Sequence, residues 1–329
     1  MNGKHFSRYI NTKTQNTGKK ATYTEHETCI IFGKLKQNTK MEYSEKKVIS
    51  TDGLPLFLRI WQPKQKPLAV INMVHGLGEH GGRYDHWAKR FTQEDMAFAA
   101  IDYRGHGLAE GKRGHAVSYG LLLDDIKVLL EETSQLFPEI PAILYGHSLG
   151  GNLVLSYISQ RRHSLNGLIV TSPWLRLTSE PPVWQTAVAR ILLPVFPGMT
   201  IPNGLNPNDL SHYPEVAKAY TSDPLVHNKI SLRLYFDTQK AGHLILQKGI
   251  PVNIPVLIAH GSADPITSPR ASQELTTHCS KNVTFRLFKD MFHELHNEPC
   301  APELFILIKN WIMETCIANT DYPSGHGYF

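Results

Sequence analysis

Four cysteines in 329 residues are too few and too scattered to staple a fold. Cys29, Cys279, Cys300 and Cys316 contain no C-x-x-C pair, so they read as reduced structural thiols rather than a disulfide or zinc framework. Long apolar runs are lacking too. No window approaches the ~18 uninterrupted apolar residues of a membrane-crossing helix. The short patch Cys29-Ile30-Ile31-Phe32 is also too brief for a secretory signal. A soluble, cytoplasmic protein is expected, with peripheral contact at a membrane left open. Internal repeats are absent. The body also lacks a charge excess. Residues 1–40 hold eight Lys/Arg against two Asp/Glu, and the remainder holds 26 against 27, so the net +5 belongs to the N-terminal segment. A near-neutral body excludes a nucleic-acid partner from the expectation. The basic segment suits weak attraction to anionic lipid. Its Asn-, Thr- and Lys-rich composition predicts a flexible extension, or a natural start at Met41. Residues 318–329 are expected to be a tail.

What is present is core material. Hydrophobic residues make up 41% of the chain, enough for a sizeable interior. Lys47–Thr51 and Leu56–Trp61 flank Asp52-Gly53 and predict a hairpin. Short apolar runs follow at Ala69–Val74, Ala97–Ile101, Ala142–Tyr145, Leu168–Thr171, Pro255–Ala259 and Val283–Leu287. Continuous runs of this kind fit strands buried on both faces. Helical spacing marks Ser118–Ser134, Asn152–Ser159, Ser268–Cys279 and Glu303–Met313. The alternation predicts an α/β fold, with a mostly parallel central sheet and helices on both faces. It breaks between Thr171 and Pro255, an interval too long for a structureless loop. There the helical stretch Val183–Phe196, the turn-rich IPNGLNPN and a second helical region near Leu232–Leu246 predict an inserted helical lid, at about residues 174–250. The domain so framed runs over residues 41–317.

Residues 146–151 read GHSLGG, straight after an apolar run. G-x-S-x-G is weak alone but informative between a strand and a helix, where a sharp turn exposes the serine. Glycines at 146 and 150 remove side chains that would collide there. Ser148 is thus a candidate nucleophile at a helix N-terminus, and it needs a base. Asp264, just past the run Pro255–Ala259, is the candidate acid. His293 is the candidate base, with His296 as its competitor in FHELH. H-E-L-H is one residue short of the zinc motif H-E-x-x-H, so no metal is expected. The oxyanion donors are expected to be the amides of Leu149 and of Leu77, in the loop His75-Gly76-Leu77-Gly78.

Together, HGLGEHGGRY (75–84), DYRGHG (102–107), GHSLGG (146–151), GSADPIT (261–267) and FHELH (292–296) resemble the motif set of the monoacylglycerol lipase and lysophospholipase family of α/β-hydrolases. The likeness runs from about Glu45 to about Trp311. It implies the α/β-hydrolase fold, a triad of Ser148, Asp264 and His293, and no cofactor. It also implies that Glu79, Arg83 and His296 hold the glycerol head group. The spacing of Glu79 and Arg83 equally suits an ion pair at a helix start. Ala109 stands where the family commonly has Ser, and the two chain ends have no counterpart in its core.

The lid stretch carries Val183, Ala187, Ile191 and Val195 every four residues. This stripe is expected to contact an acyl chain, or else to pack on the sheet. The expected function is hydrolysis of a monoacylglycerol or related single-chain lipid ester through an acyl-enzyme on Ser148. Lysophospholipase and broad carboxylesterase are the near alternatives. Acyltransferase, iminopeptidase-like peptidase and a non-catalytic ligand-binding role are the remoter ones. The lid and the basic N-terminus are the expected points of transient membrane contact.

Overall fold

A computed structural model describes residues 41–250, 253–279 and 282–318. The expectations for residues 1–40, and for the tail beyond residue 318, lie outside the described residues. The strands are β1 (Glu42–Ile49), β2 (Pro55–Gln62), β3 (Val70–Val74), β4 (Ala97–Asp102), β5 (Ala142–His147), β6 (Gly167–Thr171), β7 (Thr200–Pro202), β8 (Lys229–Ser231), β9 (Val256–Gly261) and β10 (Val283–Phe288). The helices are α1 (Asp85–Gln93), α2 (Tyr119–Leu136), α3 (Leu149–Gln160), α4 (Val183–Leu192), α5 (Pro214–Ser222), α6 (Leu232–Lys248), α7 (Pro269–Thr277) and α8 (Ala301–Trp311).

Eight strands form one sheet in the order β1-β2-β4-β3-β5-β6-β9-β10. The β1–β2 hairpin pairs antiparallel with β4, and every pairing from β4 to β10 is parallel. The β3, β4 and β6 residues are all buried, as continuous apolar runs require. Alternate residues feed two cores. Val70, Val74, Ala99, Leu144 and Val170 pack with α2, α3, α6 and α7 on one face. Ile71, Met73, Phe98, Tyr145 and Ile169 pack with Trp87 and Phe91 of α1 and Leu304 and Ile308 of α8 on the other. This is the predicted α/β-hydrolase architecture.

The excursion between β6 and β9 divides in two. α4 has no buried residue. α6, by contrast, puts Leu234, Ile245 and Leu246 into the same core as α3 and so belongs to the helical layer. The α4 helix stops at Leu192, short of the Phe196 expected from spacing, two residues before Pro194. The overhanging part therefore spans α4, the small β7–β8 ribbon and α5.

Candidate active site

Because the central strands are parallel, their carboxyl ends open on one edge, and four loops meet there. They follow β3, β5, β9 and β10. Ser148 joins β5 to α3 with φ 55° and ψ −117°, a conformation rare for a residue with a side chain. The crowding around it demands glycine. A Cβ on Gly146 would lie 2.5 Å from the Gly150 oxygen, and one on Gly150 would lie 2.0 Å from the Val74 oxygen. The helix consequently begins at Leu149, whose amide has no acceptor inside it. The β3 loop passes directly alongside, since a Cβ on Gly76 would come 3.2 Å from Ser148 Cβ. Leu77 follows on the same cavity wall.

Asp264 and His293 meet behind the serine. His293 Nδ1 donates to Asp264 Oδ2 at 2.7 Å. Asp264 also accepts from the amides of Ile266 and Thr267 at 2.8 and 3.0 Å, from the Thr267 hydroxyl at 2.9 Å and from His260 Nε2 at 3.0 Å. Burial favours protonation of this carboxyl, but the His293 charge and the donors from His260 and His293 outweigh it. They hold Asp264 well below the usual carboxylate range. Burial pulls the His293 pKa down, and attraction to Asp264 more than offsets this and leaves it raised. The Ser172 hydroxyl anchors the His293 carbonyl at 2.8 Å. Among the described hydrogen bonds none joins Ser148 to His293. Such contacts commonly close only with substrate. Both residues line one cavity of about 600 Å³.

The expected head-group set is only partly brought together. Glu79 and Arg83 line the cavity. They form an i,i+4 pair at 2.6 Å, so the ion-pair geometry and the cavity position hold at once. Glu79 Oε1 accepts from the Gly76 amide at 2.6 Å and from Tyr84 at 2.9 Å, tying it to the β3 loop. His296 is a correction. It is buried outside the cavity lining and stacks on Tyr84 at 4.7 Å. Both its ring nitrogens lack partners among the described residues, and burial pushes its pKa down to about 3.

Glu294, not singled out from sequence, occupies the wall instead. It holds Arg83 in a two-pronged ion pair at 2.7 and 2.9 Å. Tyr220 of α5 lies beside it, with its ring 4.9 Å from the Arg83 guanidinium. No local sequence signal marks Tyr220. Glu294 was at least visible as the residue next to the candidate base.

The acyl-contact expectation also needs correction. Val183 and Ile191 are 84% and 75% exposed, Ala187 is exposed too, and none of the three lines the cavity. The α4 helix turns Gln185, Thr186 and Ala189 inward. Periodicity identified an apolar face, but the water-facing side took it. The apolar cavity wall comes from Trp174, Leu177, Ile201, Ile230, Leu232 and Tyr235.

A family model described as serine aminopeptidase, S33, matches residues 65–300. A solved monoacylglycerol lipase from Paleococcus ferrophilus superposes with a TM-score of 0.71 at 31% identity, covering 83% of this chain and 99% of that one. The monoacylglycerol lipase of Mycolicibacterium smegmatis is 29% identical over 82% of this chain and 97% of its own length. An abhydrolase domain-containing protein of Dictyostelium discoideum is 36% identical over 83% of this chain, which spans only 29% of that longer relative. With the fold, the serine elbow and a match over most of its length, the chain belongs to the α/β-hydrolase family of serine hydrolases that the S33 model describes.

Proposed function

We propose that the protein is a serine ester hydrolase that cleaves a monoacylglycerol or a related single-chain lipid ester to a fatty acid and glycerol. The observation that carries this reading is the Asp264–His293 hydrogen bond at 2.7 Å, with His293 and the strained Ser148 lining one cavity. Relatives described as monoacylglycerol lipases support the substrate class. So does the cavity, whose volume suits a drug-sized or lipid ligand and whose lining combines apolar side chains with the contacting polar cluster of Glu79, Arg83, Tyr220 and Glu294.

In this mechanism His293 takes the Ser148 proton as Oγ attacks the ester carbonyl. Asp264 orients the imidazole and stabilises its cation. The Leu77 and Leu149 amides receive the developing oxyanion. His293 then protonates the departing glycerol oxygen. A water, deprotonated by the same base, releases the fatty acid from Ser148. The acyl chain lies along Trp174, Leu177, Ile230 and Leu232.

We also infer that the outer face of α4, with Val183, Trp184, Val188 and Ile191 turned to solvent, meets the lipid surface that supplies substrate. Among the described residues no helix is long and apolar enough to cross a membrane.

A hydrolysis screen tests the reading with mono-oleoylglycerol, oleoyl-lysophosphatidylcholine and a short-chain ester. Turnover of the first, and its loss in Ser148→Ala, is the expected result. An active Ser148→Ala protein, or no turnover of any glyceride, overturns it.

A further inference from the structure

The polar cluster in the cavity lining differs from the expected Glu/Arg/His set in a way that changes what it selects. We propose that Glu294 and Tyr220 are head-group specificity residues. Together with Glu79 and Arg83 they build a wall that admits a neutral polyol and rejects an anionic head. This rests on the ester-hydrolase reading above and narrows it.

The first observation is that Arg83 is already committed. Its Nη1 donates to Glu79 at 2.6 Å and to Glu294 at 2.7 Å, and its Nη2 donates to Glu294 at 2.9 Å. A phosphate is bound by the planar fork of a guanidinium, and here a carboxylate fills that fork. Among the described lining residues the acidic side chains are Glu79, Glu180, Asp209 and Glu294 and the one guanidinium is that of Arg83, which Glu79 and Glu294 contact directly. By formal charge this lining carries more carboxylates than cations, which disfavours an anionic head group.

The second observation is independent. The Tyr220 hydroxyl is buried and has no hydrogen-bond partner among the described residues, although its side chain lines the cavity. Glu294 Oε1 accepts one bond, from Arg83, and Glu79 Oε2 likewise, so each keeps acceptor capacity. A phenol that donates and accepts, beside two part-used carboxylate oxygens, matches hydroxyl groups. Phosphate oxygens, which chiefly accept, would meet acceptors. The Arg83–Glu294 pairing keeps both groups charged: burial disfavours both ions, but their attraction holds Arg83 up and Glu294 down.

The test compares kcat/KM of the full-length protein on three oleoyl esters. Mono-oleoylglycerol has a neutral head, its phosphate monoester (oleoyl-lysophosphatidic acid) has an anionic head, and methyl oleate has none. The wild type is expected to favour the neutral glyceride over the phosphate. Glu294→Gln removes a unit charge roughly 10 Å or less from the head group. At an effective dielectric near 20 this should shrink that preference on the order of tenfold. Glu294→Asp keeps the charge and should keep the preference. Tyr220→Phe should lower the ratio of mono-oleoylglycerol to methyl oleate about fivefold, mainly through KM, the size expected for one hydrogen bond.

An unchanged neutral-to-anionic ratio in Glu294→Gln overturns the proposal, as does an equal loss in Glu294→Asp. So does a Tyr220→Phe effect that falls equally on methyl oleate. Where Glu294→Gln fails to fold, judged by lost fluorophosphonate labelling, Tyr220→Phe decides alone. A wild type that hydrolyses none of the three esters sinks the ester-hydrolase reading. One that hydrolyses methyl oleate without head-group preference sinks only the present inference.

Discussion

A methyl group at position 150 would sit 2.0 Å from the Val74 carbonyl oxygen, and neither backbone can move without displacing β3 or α3. Gly150→Ala should therefore cost at least about 1–3 kcal/mol. The check is a urea midpoint measured alongside fluorophosphonate labelling of Ser148. Labelling should fall more steeply than stability, because the strained φ of 55° at Ser148 depends on the same contact.

The Asp264–His293 pair gives opposite pH signs for folding and for catalysis. The raised His293 pKa stabilises the fold fully below the unfolded value of about 6.5, and this stabilisation is lost as pH rises through the folded value. The lowered Asp264 pKa stabilises the fold above the unfolded value of about 3.9, and this is lost as pH falls through the folded value. The base is neutral only above its raised pKa. The acid limb of kcat/KM should accordingly lie above pH ~6.5 in the wild type. Asp264→Asn removes the charge that raises His293, so the limb should move to lower pH while kcat drops on the order of 10⁴-fold. A limb that stays in place argues that His293 is not the titrating base.

At this scale the meeting of Asp264 with His293, and the place of Ser148 and His293 on one cavity, were legible because each residue sits in a short motif at a strand end. His296 misled because its neighbour in sequence, Glu294, reached the cavity while the imidazole stacked on Tyr84.

Among the elements, α4 shows most clearly what periodicity does and does not say. Residues recurring every four positions establish a face. Whether that face meets core, ligand or solvent depends on what packs against it. Here the helix has no buried residue, and its apolar side looks outward. Trp184→Ser with Ile191→Ser should reduce flotation with lipid vesicles while leaving hydrolysis of a water-soluble short-chain ester intact. Equal flotation of the variant sinks the membrane role of this face. The sheet strands were readable because burial on both sides leaves uninterrupted apolar runs. α1 was not picked out, since its nine residues bury only Trp87, Ala88, Phe91 and Thr92 amid polar neighbours. α5 was harder still, with only Ala217 and Tyr220 buried.

For the whole molecule, the turn of the β1–β2 hairpin is tied to the body by the buried cation Arg104, as β2 is by Arg59, which bonds Asp102 at 2.7 Å. Arg104 bonds Asp125 through Nε and Nη2 at 2.8 Å each, and reaches Asp52 at 2.8 and 3.0 Å and the Ser50 hydroxyl at 2.9 Å. Asp125 is fully buried. Arg104→Leu would take away the only cation that pairs with the Asp125 carboxylate among the described residues, leaving it the Ser50 hydroxyl at 2.6 Å and the residue-104 amide at 3.2 Å, and stability should fall by about 3–5 kcal/mol in urea unfolding. A loss within the range of a surface substitution would show that the network is dispensable.

The overhanging segment also has unequal halves. After α5, the His227 amide donates to the Gly78 carbonyl at 2.8 Å, and His80 pairs with Asp223 at 2.9 Å. Tyr220 meanwhile covers Arg83. A Cβ on Gly78 would come within 2.3 Å of the His227 oxygen, so the two chains run in direct backbone contact. This half works as a buckle on the loop that carries Leu77. To lift it would be to displace Leu77, the proposed oxyanion donor of that loop. On the proposed mechanism, an opening that spares this buckle would come from the side covered by α4 and leave the Leu77 loop in place.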